Sequence, residues 1–197
     1  MSPRRVTNEQ VIAATTNWLE KAVIGLNLCP FAKAVHVKQQ VRYVVSEAET
    51  PEELVEVLRQ ELEVLAEASP EKTETTLLIH PYVLNDFLDF NDFLDVADAL
   101  LEELDLDGIL QIANFHPDYQ FADSEPGDIE NYTNRSPYPT LHLLREESID
   151  RAVDAFPDAA AIFDRNMAMM RKLGHEGWYD LLDGKLDPAS VKPDQDQ

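Results

Sequence analysis

The chain has 197 residues, 44% of them hydrophobic and 27% charged, enough to build one domain around a sizeable core. Its formal charge of −22 repels nucleic acid and anionic membranes, so neither is an expected partner. No apolar run reaches membrane-spanning length, no signal core follows the N-terminus, and the lone Cys29 excludes an internal disulfide, so the cytoplasm is the expected compartment.

Taken in order, Thr7 and Gln10 form a capping box, and Val11, Ala14, Trp18, Leu19, Ala22, Val23 and Leu26 recur at helical spacing, predicting a helix over 8–25. Gly25, Asn27 and Pro30 supply its stop. Residues 40–46 are β-branched and aromatic and read as a strand. Thr50, Pro51 and Glu53 cap a second helix near 51–68 with Leu54, Leu58, Leu62 and Leu65 as its stripe. A short strand over 75–80 ends at Pro81. A third helix is predicted over 91–104, with Asp86 and Asp89 on its solvated side or in a turn leading into it. Strands follow at 109–115 and 140–145, then helices at 148–156, capped by Ser148, and 158–174, capped by Asp158 and ended by Gly174. Trp178 and Tyr179 fall in a last short turn. Residues 1–183 are thus expected to form a single α/β domain and 184–197 a disordered tail.

Alternating strands and helices argue α/β layering, a mixed and mostly parallel four-stranded sheet flanked by helices with extra C-terminal helices. The first three strands, joined by helices, are expected to run parallel, and the fourth antiparallel to the third or elsewhere. Sites in such sheets lie beyond the carboxyl ends of the strands. That rule brings His80 and His116 to one edge, each followed by a proline, and His142 joins them if strand four is antiparallel. Strand alternation puts His142, Leu144 and Glu146 on one face, and Leu141, Leu143 and Arg145 on the other.

The long connection over 116–139 is the strongest pointer to a site. Loops of that length in a compact domain are either disordered or functional, and Tyr119, Phe121, Tyr132 and Tyr138 make it too aromatic for disorder. Arg135 offers a fork for a carboxylate or phosphate, or a set of donors that pin the loop through backbone carbonyls. Arg145 reads as a further anion-binding residue or as a partner of Glu146 and Glu147. Cys29 follows a helix carboxyl end, which opposes a thiolate, so it is a small buried hydrophobe or one soft metal ligand. No compact zinc motif, phosphate-cradling glycine loop or serine-hydrolase elbow is present.

Trp18 with Gly25 to Ala32, Leu77 to Pro81, Phe115 to Phe121, and Asn134 to Pro139 with Leu141 to Glu146 together resemble a bacterial family of uncharacterised proteins, the domain of unknown function 1415. The likeness spans roughly residues 7–175. It implies no activity, cofactor or catalytic residue.

The residues themselves point to a cytoplasmic enzyme acting on a small polar, anionic metabolite. His116 and His142 would move protons, Arg135 and Arg145 hold the anion, and Tyr119 and Tyr138 close over it. In one variant Cys29, His80, His116 and His142, or some of them, bind zinc or iron. The alternative is a non-catalytic binding or regulatory protein. Half of the acidic residues lie in 47–107, opposed there only by Arg59 and Lys72, and that surface would engage a basic protein partner.

Overall fold

A computed structural model describes residues 5–156 and 158–191. The Thr7 capping box forms as expected and starts α1 (Asn8–Trp18). The apolar stripe runs on without interruption, but the backbone loosens into a π-helical stretch, Leu19–Ile24, before Gly25. A short helix that periodicity does not reveal, α2 (Ala32–Val37), leads into β1 (Val41–Val45). Thr50 then caps α3 (Pro51–Glu67) by accepting from the Glu53 N–H. The Glu53 carboxylate reaches back one residue beyond the cap, to the Glu49 N–H.

After β2 (Thr75–Ile79), Asp86 accepts from the Leu88 and Asp89 amides and starts α4 (Phe87–Glu103) a full turn before the expected 91. The threefold spacing of aspartates that reads as a solvated face hides a cap. β3 (Leu110–Phe115), the long connection and β4 (Thr140–Arg145) follow. α5 (Glu146–Ala155) begins directly at the end of β4, so Ser148 is not its cap; its hydroxyl bonds Glu74 instead. Asp158 does cap α6 (Ala159–Leu182), and Gly174 breaks that helix at φ 65°, where a left-handed turn favours glycine. Trp178 and Tyr179 are helical, not in a turn.

The sheet order is β1-β2-β4-β3. β1 and β2 pair in parallel, but β4 lies antiparallel between β2 and β3, so the mostly parallel sheet expected from the sequence is in fact a mixed, mostly antiparallel one. The first three strands do share a direction, yet β3 never pairs with β2. The reason is burial: β2 is buried at every position and β4 carries fully buried Leu141 and Leu143, so these two occupy the centre. β1 and β3, with exposed Arg42 and Gln111, take the edges.

One face of the sheet, with Leu78, Leu141, Leu143 and Leu110, packs on α3 and α4. There Leu54, Leu58, Leu62 and Leu65 are fully buried, each contributing about 2 kcal/mol. On the other face, Tyr43 and Phe115 meet a cluster of Trp18, Leu26, Met170 and Trp178. The fold is therefore a three-layer α/β arrangement. Leu186 and Val191 pack against this second cluster, and Asp187 caps a 3-10 turn, Pro188–Ser190. The rest of the expected 184–197 tail, from residue 192 on, lies outside the described residues. Among the described residues no helix is long and apolar enough to cross a membrane.

Arg145 lies on the α3 face, as alternation requires, and bonds neither Glu146 nor Glu147. Its Nη2 donates to the carbonyls of Leu65, Ala68 and Thr73 at 2.8, 2.8 and 2.9 Å, closing the carboxyl end of α3. Replacing it with Met should cost roughly 2–4 kcal/mol in urea denaturation, because those carbonyls lose a charged donor together. Gly25 leaves no room for a side chain: a Cβ there would meet the Lys21 carbonyl and come within 2.8 Å of Pro188. Gly25→Ala should therefore destabilise by roughly 1–3 kcal/mol in the same assay.

Candidate ligand-binding groove

The strand pleat decides which histidines meet. Leu78 and Asn114 point to the α3–α4 face, so His80 and His116, two residues further along their strands, do too. Both rings flank Phe90, at 5.7 and 5.0 Å between ring centres. His142 pairs with Leu77 and Ala113 and lies on the opposite face, 5.9 Å from the Phe115 ring. The sheet itself separates it from His80 and His116.

All three imidazoles are held by protein groups. His80 Nδ1 donates to the Val83 carbonyl at 3.0 Å, and its Nε2 is buried with no partner among the described residues. His142 Nε2 is 2.6 Å from the Thr75 hydroxyl, which itself donates to the Leu143 carbonyl and so accepts from the ring. His116 uses both nitrogens. Nε2 donates to Leu84 O at 3.1 Å, and Nδ1 accepts from the Asp118 amide at 3.0 Å. Those bonds fix a neutral ring with the proton on Nε2. Leu84 has a left-handed φ of 58°, uncommon for a branched residue, and this conformation accompanies its carbonyl's bond to His116. Burial lowers the pKa of His116, and pushes those of His80 and His142 down to about 4.

Cys29 packs with the Trp18 cluster on the far side of the sheet. The proposed Cys29, His80, His116 and His142 metal set is therefore not assembled. Among the described residues no group of three or more His, Cys, Asp or Glu side chains is placed to hold a metal. Tyr138 packs beside Val11, Leu77 and Ile79, again across the sheet. Tyr119 stays on the His116 side, against Phe87 at 5.3 Å and Phe121 at 5.1 Å, and burial raises its pKa.

What the fold does build at this edge is an open groove of about 490 Å3. One wall is the start of α4, Asn85 to Leu88; the other is the long loop, with Asp118, Gln120, Pro126 and Arg135. Arg135 is fixed from behind. Nε donates to Tyr119 O at 3.1 Å, Nη2 to Pro126 O at 2.7 Å, and the guanidinium lies 4.3 Å over the Tyr132 ring. Of the two uses expected for this residue, the structure shows the pinning of the loop, and Nη1 has no partner among the described residues. Asp118 is exposed and its carboxylate likewise bonds no described residue, while Asp86 spends one oxygen on the cap of α4. Leu88 is 72% exposed at the rim. The loop is tied down at several points: Asn131 bonds the Phe121 amide, the Ser124 hydroxyl and the Glu125 carbonyl, and His175 bonds Gly127 O at 2.8 Å. Of the candidate residues predicted from the sequence, Arg135 lines this groove; His116 is buried between its walls, Tyr119 packs on Phe87, and His80 lies beyond Phe90. The α4 wall is not among the residues that the sequence marks as a site, although Asp86 ahead of an apolar helix is a recognisable cap signal.

The buried imidazoles make stability depend on pH. Their folded pKa values lie below the unfolded value near 6.5, so the unfolded chain binds protons first. Stability is complete above about pH 6.5 and falls as pH drops towards 4, by about 3 kcal/mol for each of His80 and His142. Urea midpoints measured from pH 7 to pH 4 should fall steeply, and His142→Gln should flatten the slope in that window.

The family described as "Protein of unknown function (DUF1415)" matches residues 10–180, all four strands and nearly every helix of the domain. No curated protein and no solved structure matches the chain. With a family match over most of its length, covering both walls of the groove, the chain belongs to the DUF1415 family of proteins of unknown function.

Proposed function

We propose that the protein binds a small polar metabolite in the groove between the start of α4 and the 116–139 connection. The observation that carries this reading is Arg135, a groove-lining residue whose guanidinium is held by two backbone carbonyls and a tyrosine ring while Nη1 has no partner among the described residues. Holding a charged donor rigid before the ligand arrives lowers the entropy lost on binding. The groove volume of about 490 Å3 falls within the range of metabolite sites, and polar groups alternate there with Phe87, Leu88 and Pro126.

Proton transfer by His116 and His142 together finds no support in the arrangement, because the rings lie on opposite sides of the sheet and His116 has no free nitrogen. A catalytic use of the groove would have to draw on Asp118, whose exposed carboxylate bonds no described residue. Binding is the function favoured by this geometry.

A thermal-shift screen against polar metabolites, followed by amide NMR mapping, tests the reading. A ligand at a hundred times its Kd stabilises the folded state by about 2.7 kcal/mol. The amides of Leu88, Asp118 and Gln120 should carry the largest shifts, and Arg135→Gln should weaken binding at least tenfold. Hits whose shifts fall only outside the groove would overturn the proposal.

A further inference from the structure

We infer that the natural ligand of this groove is a zwitterion with an apolar side group, an amino-acid-like molecule, and not the simple anion that Arg135 alone suggests; this rests on the groove being the binding site. The argument is one of charge and shape. The groove places one fixed cation, Arg135, beside two carboxylates, Asp86 and Asp118, and the neighbouring His116 is neutral by its hydrogen bonding. The site therefore carries a net negative charge, within a chain of −22. A dianion would meet one partner and two repulsions, whereas a ligand carrying both a carboxylate and an ammonium meets an opposite charge for each.

The two partners are not equivalent. Arg135 Nη1 is a charged donor with no partner among the described residues and takes the ligand carboxylate. Asp86 is partly committed to the amides of Leu88 and Asp89, so Asp118, with no bond to any described residue, is the acceptor for the ammonium. Gln120 donates to Ser124 O at 2.6 Å, which directs its amide nitrogen into the loop. Phe87, the strongly exposed Leu88 and Pro126 form an apolar strip in the same groove. A solvent-facing leucine beside these charges fits a ligand with a hydrocarbon portion better than a fully hydrated one.

Three probes with one common ring separate the charges: L-phenylalanine, 3-phenylpropanoate, which lacks the ammonium, and 2-phenylethylamine, which lacks the carboxylate. Each is titrated into the 197-residue chain and followed by the NMR shifts of groove amides, a readout blind to general adherence of an amine to the acidic surface. L-phenylalanine should bind at least tenfold more tightly than either truncated probe. Asp118→Asn should remove that advantage over 3-phenylpropanoate, whose own binding should hold or tighten because one of the two carboxylates that repel it is gone, and the fold should stand because the Asp118 side chain is exposed and bonds no described residue. Equal binding of 3-phenylpropanoate and L-phenylalanine, or an Asp118→Asn loss shared by both, would overturn the zwitterion. So would a groove-binding metabolite that has no amine, and that outcome would leave the binding site standing. No groove shift with any compound would overturn both.

Discussion

His116 spans the two walls of the groove. Its Nε2 holds the Leu84 carbonyl, at the end of the β2–α4 connection, and its Nδ1 takes the Asp118 amide, at the start of the long loop. A single fully buried ring thus sets how far the start of α4 stands from the loop. Phe87 and Phe90 close around the ring and exclude water, which strengthens both hydrogen bonds and keeps the imidazole neutral. A histidine used this way is a spacer, and the walls it spaces carry Arg135 and Asp118.

The same economy of backbone partners runs through the rest of the domain. Arg145 closes the carboxyl end of α3, His80 takes the Val83 carbonyl, Arg135 takes two loop carbonyls, and His175 takes a third. Side chains that would suggest chemistry in isolation mostly satisfy main-chain groups where regular structure ends. Arg42 does similar work between layers, gripping the buried Glu61 carboxylate with two hydrogen bonds of 3.0 Å and so tying β1 to α3. Around this interior the exposed acids of α3 and α4, Glu52, Glu56, Asp92, Asp95 and Asp98, form a solvated outer face.

Much of this architecture is legible in the sequence. The caps at Thr7, Thr50 and Asp158, the leucine stripe of α3, the break at Gly174 and the four strand positions all follow from local rules. The convergence of His80 and His116 follows from topology, and the opposite facing of His142 and Arg145 from alternation. What the sequence withholds is which strand lies between which. Periodicity gives each strand its two faces but does not align those of separate strands, and here the pleat splits the three histidines. The π-helical stretch is hidden for a related reason, since apolar spacing from Trp18 to Leu26 looks the same whether or not the helix loosens by a residue. The α4 wall is obscured by aspartates that serve as both cap and solvated face.

The position of β4 has a consequence for the way the chain matures. The strand that joins β2 to β3 is the last of the four to be synthesised, so the sheet cannot close until residue 145 has left the ribosome. Until then β2, apolar at most of its positions, presents an unpaired edge of main-chain donors and acceptors next to β1. A nascent chain ending within the loop is thus a two-stranded fragment exposed to association with its neighbours, and the arrival of Thr140 to Arg145 converts it into a sealed core.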